Sequence, residues 1–405
     1  MSPSKVPTGG AGAAAPTKDM YFGKYVSHEG SKNLKLYSYK GTDHSLIYKH
    51  VLTPMNNFLM HYIPLWLAPN MITLLGLVAV IISHVFFAVY CPTLQGEAPS
   101  WLYAFAAIAL FTYQTLDNLD GKQARRTDTS SPLGLLFDHG CDAINCTIGS
   151  MTMCCVAQFG PTWKAACMVL WINFAFIGAT WEEYYTGSLE LPIINGPTEG
   201  VLIAVSLKLV TAAMGVSFWH EETFVPGVQN NTLFLFAMIS TSSLTVLGNI
   251  WNVAQTVWTQ KKSLAVAFTR LIPFALLNGL VIFWAVHSPS NILGVHPRMF
   301  LWTAGLLNSK LLLHLMLAHL CEEEFHPFRK TLVPIFYVAG HCLFCHIQGI
   351  MVLGLETEAL LLQEFFYISL VAYVHIVITV ILEVKTVLNI PVFTVPEEKQ
   401  MIKIH

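Results

Sequence analysis

Four aspartates carry the strongest chemical signal in this chain because of where they fall. The sequence reads Asp117-Asn-Leu-Asp120-Gly121-Lys122-Gln123-Ala124-Arg125-Arg126, and thirteen residues after Arg125 comes Asp138-His139-Gly140-Cys141-Asp142. Both stretches border or interrupt strongly apolar segments, and ionisable groups at membrane depth are expensive enough to count as a functional signal by default. Asp117 and Asp120 are spaced i, i+3 and Asp138 and Asp142 i, i+4, so each pair shares one face of a helix. A short loop makes the two helices antiparallel neighbours, and the four carboxylates converge. Left alone they repel one another. A divalent cation resolves the conflict, and all-oxygen ligation favours Mg2+ or Mn2+. Two such ions can bridge a diphosphate and stabilise charge on the attacking and leaving oxygens. Gly121 and Ala124 share the face of Asp117 and Asp120, and Gly134 lies one turn before Asp138. Small side chains there let a bulky ligand approach the backbone, and Lys122, Arg125 and Arg126 offer phosphate contacts. Each glycine alone reads as helix packing, and the basic residues alone as loop topology. The joint spacing outweighs both.

These residues must be positioned by membrane helices. The chain has 405 residues, 54% hydrophobic and only 11% charged, with mean hydropathy +0.55, whereas a soluble domain carries roughly 25% charged residues. A span needs about 20 mostly apolar residues. Ten segments qualify, near 71–92, 101–118, 133–158, 163–185, 200–219, 232–257, 266–287, 299–320, 331–354 and 359–385. Before them, 45–66 mixes apolar and polar residues at helical spacing (Leu46, Ile47, Val51, Leu52, Met55, Phe58, Leu59), the pattern of a helix lying in the interface. The expectation is an all-α integral membrane protein. Its parts are a disordered cytosolic tail over 1–33, an interfacial amphipathic segment over 34–69, a catalytic bundle over 70–258 (spans one to six), C-terminal helices over 259–390 (spans seven to ten) and a cytosolic tail over 391–405.

With ten spans both termini share a side, and that side carries 17 of the 22 Lys and Arg residues. The positive-inside bias places it, with the 118–132 loop, in the cytosol. Nine cysteines lie mostly in apolar runs and read as small core residues rather than a disulfide framework. No apolar stretch in the first ~30 residues reads as a signal peptide. Asn230-Asn231-Thr232 matches a glycosylation pattern on the far side, and Asn145-Cys146-Thr147 matches inside a span.

The order Asp117-x-x-Asp120-Gly121-x-x-Ala124-Arg125, then Gly134, Asp138 and Asp142, matches every fixed position of the CDP-alcohol phosphotransferase signature. Other segments resemble its eukaryotic choline/ethanolamine branch: Trp66-Leu-Ala-Pro69-Asn70-Met-Ile-Thr73, Trp181-Glu-Glu-Tyr184, Asn195-Gly-Pro-Thr-Glu199-Gly200 and His296-Pro-Arg298. The resemblance covers roughly residues 35–390. It implies that Asp117, Asp120, Asp138 and Asp142 bind two Mg2+ (Mn2+ as a substitute) that hold the diphosphate of CDP-choline or CDP-ethanolamine. Gly121, Ala124 and Gly134 would line the cytidine side, and Arg125 would fix the nucleotide. Diacylglycerol would enter from the bilayer, its hydroxyl would attack the phosphorus carrying the alcohol, and CMP would leave. The branch also implies endoplasmic reticulum or Golgi membrane, a homodimer through the C-terminal helices, and no nucleic-acid partner.

A lipid hydroxyl needs a base, and two candidates stand. Asp142 is the usual nominee across the wider family, but a metal-bound carboxylate is a weak base. His139 has an ordinary pKa of about 6.5, suited to proton transfer, and in the eukaryotic branch the equivalents of His139 and Glu199 resemble a base and its orienting carboxylate. Their plain readings are a histidine behind the metal ligands and a helix-dipole carboxylate. Asn70 reads either as a substrate contact or as a cap at the start of the first span. Glu182 and Glu183 could meet a cationic headgroup or sit at the interface, and Trp181 and Tyr184 could line a cationic pocket or an aromatic belt. His314, His341, His346 and His375 read as satisfied intramembrane groups. A membrane prenyltransferase places its two Asp-rich motifs roughly a hundred residues apart, and a transporter would show related halves; neither pattern is present. Relatives that join CDP-diacylglycerol to inositol or glycerol phosphate are shorter, with about six spans. Dual use of choline and ethanolamine is the expectation.

Overall fold

The computed structural model describes residues 25–348 and 355–401. In chain order its helices are α1 (His28–Leu36), α2 (Thr53–Leu59), α3 (Pro69–Tyr90), α4 (Ser100–Arg126), α5 (Pro132–Val156), α6 (Trp163–Thr186), α7 (Val201–Met214), α8 (Asn230–Thr259), α9 (Leu264–Thr269), α10 (Ile272–His287), α11 (Ile292–Val295), α12 (Pro297–Leu320), α13 (Val333–Gln348), α14 (Leu355–Leu388) and α15 (Glu397–Met401). Two three-residue strands, β1 (Gly41–Asp43) and β2 (Leu189–Leu191), pair in parallel. The architecture is all-α, as expected.

Helix boundaries follow local chemistry. Pro stands in the first turn of α3, α5, α10 and α12, where its missing N–H costs nothing. Ser131 caps α5 by accepting from Gly134 N, and Thr162 caps α6 by accepting from Lys164 N. Gly187 ends α6 at φ 74°, in the left-handed region where a glycine carries no side-chain penalty.

Among the described residues, six helices are long and apolar enough to cross a membrane: α3, α6, the run 196–214 containing α7, α8, α12 and α14. Helices α10 and α13 are shorter apolar segments. Helices α4 and α5 have 27 and 25 residues; at about 1.5 Å per residue either length spans a hydrocarbon core. Their acidic residues mark the site. The seventh expected span is split, with α9 and α10 separated by a break at the buried Arg270.

Burial separates centre from rim. The apolar window of α12 is 83% buried, whereas that of α8 is 17% buried. A helix apolar all round and enclosed belongs at the centre of a bundle, and α12 packs there against α5, α6 and α14. Lipid outside is as apolar as the core, so close packing and polar ties hold such helices together. A Cβ on Gly140 would lie 3.3 Å from Leu313 Cδ2, and Ser309 Oγ donates to Ala143 O at 3.2 Å. These contacts set α12 directly behind the Asp138–Asp142 turn of α5.

The tails differ from the expected pattern. Residues 28–33, assigned to the disordered tail, form most of α1, where Asn33 Nδ2 donates to Cys321 O at 2.9 Å; residues 1–24 lie outside the described residues. At the other end, 391–396 is held against the site. Leu67 pairs with Thr394, Phe137 and Phe393 meet edge to face, and Lys399 Nζ donates to Asp128 O at 2.5 Å. The interfacial segment forms a π-helical turn over Tyr48–Leu52 followed by α2, with Val51, Phe58, Tyr62 and Trp66 exposed.

Candidate active site

The last three turns of α4 and the first three of α5 form the site. Helix α4 runs on past Asp120 because its end is clamped to the segment before α3. Gln123 Nε2 donates to Pro64 O and Leu67 O, both at 2.9 Å. Arg126 Nη1 donates to Met60 O and Ile63 O at 2.9 and 2.8 Å, and Lys122 Nζ to Asn57 Oδ1 at 2.9 Å. The clamp leaves Asp117 and Asp120 on the face toward α5.

Asp117, Asp120 and Asp138 each bring a carboxylate oxygen within 4.8 Å of the other two. Asp117 Oδ1 and Asp138 Oδ1 are buried and have no hydrogen-bond partner. Two orphaned carboxylate oxygens at one point are an arrangement a protein avoids unless a ligand completes it. An all-oxygen donor set suits a hard divalent cation, so the residues present fit one. Thr73 Oγ1 donates to Asp120. Asp142 lies beside the three with its Oδ1 accepting from Tyr113 Oη at 2.6 Å, so one of its oxygens is already engaged by a donor.

The positions expected to take the nucleotide surround this cluster. A Cβ on Gly121 would meet only Arg125 Nη1 at 3.6 Å, and one on Gly134 would meet Asn70 Oδ1 and Ser131 Oγ at 3.7 Å; both are ordinary contacts with side-chain atoms and no backbone closes on either glycine. Arg125, exposed, lines a cleft of ≈460 Å³ with Asn57, Met60, Lys122 and Arg126. Burial, and after it the Arg125 charge, lowers the Lys122 ammonium from its ordinary value, a direction that an incoming anion would reverse. Ala124 is half-buried on the same turn. Asn70 is buried, and its Nδ2 donates to Val392 O at 2.9 Å. The C-terminal segment thus holds the amide while its oxygen faces Gly134.

Most of the chain aligns with proteins of known class. The family model for CDP-alcohol phosphatidyltransferase matches residues 66–221. A protein of Arabidopsis thaliana named choline/ethanolaminephosphotransferase 1 is 34% identical over 394 residues, covering 93% of this chain and 99% of its own length. The chain belongs to the CDP-alcohol phosphatidyltransferase family. A second Arabidopsis thaliana relative, choline/ethanolaminephosphotransferase 2, is also 34% identical over 93% of this chain and 99% of its own. The cholinephosphotransferase 1 of Xenopus laevis is 33% identical over 77% of this chain and 78% of its own. Chemistry in this family depends on a divalent metal, with a CDP-alcohol and a lipid acceptor as substrates.

The expected pairing of His139 with Glu199 is corrected by the geometry. His139 is buried, and its Nε2 lies 3.2 Å from Glu183 Oε2. Its Nδ1 lies 3.2 Å from Leu135 O and 3.9 Å from Asp138 Oδ2. Glu199 closes a capping arrangement instead. Asn195 Oδ1 accepts from Thr198 N at 2.8 Å, while Glu199 Oε2 accepts from Asn195 N at 2.9 Å, the reciprocal pattern that satisfies a helix start. Its other oxygen accepts from Ser45 Oγ. Asp43 reinforces the junction, accepting from Asn195 Nδ2 at 3.1 Å and Thr198 Oγ1 at 3.0 Å. Glu199 therefore ties the strap over residues 41–45 to the start of α7. Gln114 Nε2 bonds Pro197 O at 2.8 Å and sets that junction one turn from Asp117.

Behind Glu183 the polar chain continues. Its Oε1 is buried without a hydrogen bond, 3.9 Å from His319 Nε2, and His319 Nε2 is 3.1 Å from Tyr37 Oη. Burial first and the Glu183 carboxylate second hold the Tyr37 phenol above its ordinary value. Sequence reasoning read Glu183 as a headgroup contact or an interfacial acid and did not place His319. The available signal was an acid near the end of an otherwise apolar helix. Its neighbours divide: Glu182 Oε1 accepts from Asn252 Nδ2 at 2.6 Å, Trp181 is a core residue donating to Ala267 O at 3.1 Å, and Tyr184 Oη donates to Glu323 O at 2.9 Å. Trp181 and Tyr184 are therefore packing residues rather than a cationic pocket.

Below the cluster, Ile144 and Ile148 of α5 open into an apolar groove of ≈620 Å³ facing Ile81 and Val85 of α3 and Trp302 of α12. It begins within two turns of Asp142.

Proposed function

We propose that this family member transfers phosphocholine or phosphoethanolamine from CDP-choline or CDP-ethanolamine to diacylglycerol, releasing CMP and forming phosphatidylcholine or phosphatidylethanolamine. The observation that carries the reading is the triad of Asp117, Asp120 and Asp138 with two buried, unpartnered oxygens beside a cationic cleft and above an apolar groove. It is supported by full-length similarity to proteins named for that activity.

Asp117, Asp120 and Asp138, with Asp142 completing the set through its second oxygen, would hold Mg2+, two ions in our reading, with Mn2+ as a substitute. Bound there, the cation supplies neutralisation of the diphosphate and a better leaving group. The remaining steps belong to the chain. Arg125 and Lys122 draw the phosphates into the cleft. Gly121, Ala124 and Gly134 let the cytidine moiety lie against the backbone, and the Asn70 amide oxygen faces that surface. The groove admits acyl chains and brings the acceptor hydroxyl up beside Asp142. Its oxygen bonds to the phosphorus bearing the alcohol, the bond from that phosphorus to the CMP oxygen breaks, and CMP leaves with the electron pair. The hydroxyl proton passes to a base of the site, either His139 beside Asp138 or Asp142. Holding the reactants in line and neutralising charge accounts for most of the acceleration.

The same reading places the protein in endoplasmic reticulum or Golgi membrane, with the site and both termini in the cytosol, supported by the basic residues gathered on that side. A homodimer would form through the helices of 259–390, where α14 exposes Val371, Ile378 and Leu382. The test is product analysis. Purified protein in detergent–lipid micelles receives diacylglycerol, Mg2+ and either CDP-alcohol, and the lipid fraction is weighed by mass spectrometry. The expected product is the corresponding phospholipid from both donors. Folded protein that makes neither would sink the assignment.

A further inference from the structure

The segment after the last span reaches back to each element that frames the nucleotide side of the site. Val392 O accepts from Asn70 Nδ2 at 2.9 Å, in the first turn of α3. Phe393 meets Phe137, the neighbour of Asp138, edge to face with ring centres 5.7 Å apart. Thr394 pairs in antiparallel fashion with Leu67, whose carbonyl also accepts the Gln123 bond that clamps α4. Lys399 Nζ donates to Asp128 O at 2.5 Å, just past the end of α4, where a helix favours a cation. We infer that residues 391–399 are a positioning strap of the nucleotide site: the Val392 carbonyl sets the Asn70 amide so that its oxygen is presented to the nucleotide, and the strap thereby controls the affinity for a cytidine nucleotide.

The Asn70 amide has two ends, and the protein engages one of them. Nδ2 is taken by Val392 O. Among the described residues no donor reaches Oδ1, which would lie 3.7 Å from a Cβ on Gly134. A half-turn of the amide would set Oδ1 against the Val392 carbonyl, two acceptors face to face, so the strap decides which atom points to the site. Without that carbonyl the two orientations come close in energy, and an N–H or O–H donor on the nucleotide meets a ready acceptor only part of the time. The strap can hold an amide because it is anchored apart from it. Val392 packs against the apolar cluster that contains Leu133 and Leu136 of α5. Val395 is buried, and its carbonyl accepts from Gln400 Nε2 at 2.6 Å. A carbonyl fixed on both sides is what an orienting contact requires.

The inference rests on the reading of Asn70 as a nucleotide contact, and direct binding separates the two. Mg2+-dependent binding of CMP to the full chain is measured by calorimetry, beside KM and kcat for the CDP-alcohol. Val392→Asp combined with Phe393→Asp sets two carboxylates against Leu133, Leu136 and Phe137 and expels the strap. Kd for CMP and KM should rise on the order of tenfold, the scale of one oriented hydrogen bond, with kcat within about threefold. In the Asn70→Ala background the same pair of changes should add less than about twofold, because no amide is left to orient. Equal rises in both backgrounds would mark the segment as general packing and overturn the inference. Unchanged Kd and KM, or a loss confined to kcat, would overturn it while Asn70 stands as a contact if Asn70→Ala alone weakens CMP. Unchanged CMP binding in Asn70→Ala would remove both. Wild type that binds CMP but forms no phospholipid would sink the proposed function and leave the strap to be decided by the Kd values. If the paired variant does not fold, Phe393→Ala loosens the same anchor, with an expected rise of about threefold in Kd that disappears in Asn70→Ala; no rise would overturn the inference.

Discussion

Replacing Asp138 by Asn should move stability and activity in opposite directions. Three carboxylates have oxygens within 4.8 Å of one another. At that distance and an effective dielectric of about 20, each ionised pair repels by about 3.5 kcal/mol. Asp138→Asn removes two of the three pairs, a ceiling of about 7 kcal/mol in protein without divalent metal. Water, bulk counter-ions and the protons that crowded carboxylates take up leave only part of that; a third, about 2 kcal/mol, would still raise the unfolding midpoint by about two degrees in a chain of this length. The same change deletes a cation ligand, and kcat should fall by at least on the order of 10²- to 10³-fold, the scale of losing one electrostatic stabiliser. The assay is thermal unfolding in detergent, first in chelator and then across a Mg2+ titration, beside CMP release. Wild type should gain stability with Mg2+ as mass action requires. Asp138→Asn should start higher in chelator and gain less. A variant less stable than wild type in chelator, or one stabilised equally by Mg2+, would refute the convergence of these carboxylates on a cation.

Glu199→Gln should lower the unfolding midpoint by the worth of a cap, about 1 kcal/mol, while kcat stays within a few-fold of wild type; a thousandfold loss of kcat at unchanged stability would return Glu199 to the reacting centre. Gly121→Leu fills space in which a Cβ meets only Arg125 Nη1 at 3.6 Å, so KM for the CDP-alcohol should rise on the order of tenfold with little change in stability. Equal KM values would move the nucleotide off that face. Asn230 is buried, with its Nδ2 donating to Phe218 O at 2.7 Å and Thr223 Oγ1 at 2.9 Å. The Asn230-Asn231-Thr232 sequon should therefore stay unmodified in a eukaryotic host, and endoglycosidase treatment should cause no gel shift.

Much of the site was legible in the sequence because two local periodicities encode it. The spacing from Asp117 to Asp120 and from Asp138 to Asp142 needs only a helix on each side of a short loop, and α4 and α5 supply them. The placing of Gly121 and Gly134 beside the carboxylates follows from the same registers. The partner of His139 was not legible, because it arrives on α6 through packing across 44 positions, and no spacing rule spans that distance. Glu199 was ambiguous for a physical reason. A carboxylate four residues after Asn195 suits both catalysis and a cap, and its contacts with Ser45 and Asn195 appear only in the fold. The clamp of 391–394 on Asn70 was equally hidden, since it joins the two ends of the chain. Spans α9–α10 and α13 were visible as hydropathy, but the break at Arg270 was not.

The most direct test of the central claim is CMP release by the purified chain with diacylglycerol, comparing CDP-choline and CDP-ethanolamine across a Mg2+ titration from chelator upward. The account predicts release with either donor, absent in chelator, rising with Mg2+ and abolished in Asp117→Ala. Metal-independent release, or none from protein that binds CDP-alcohol with Mg2+ present, would contradict it.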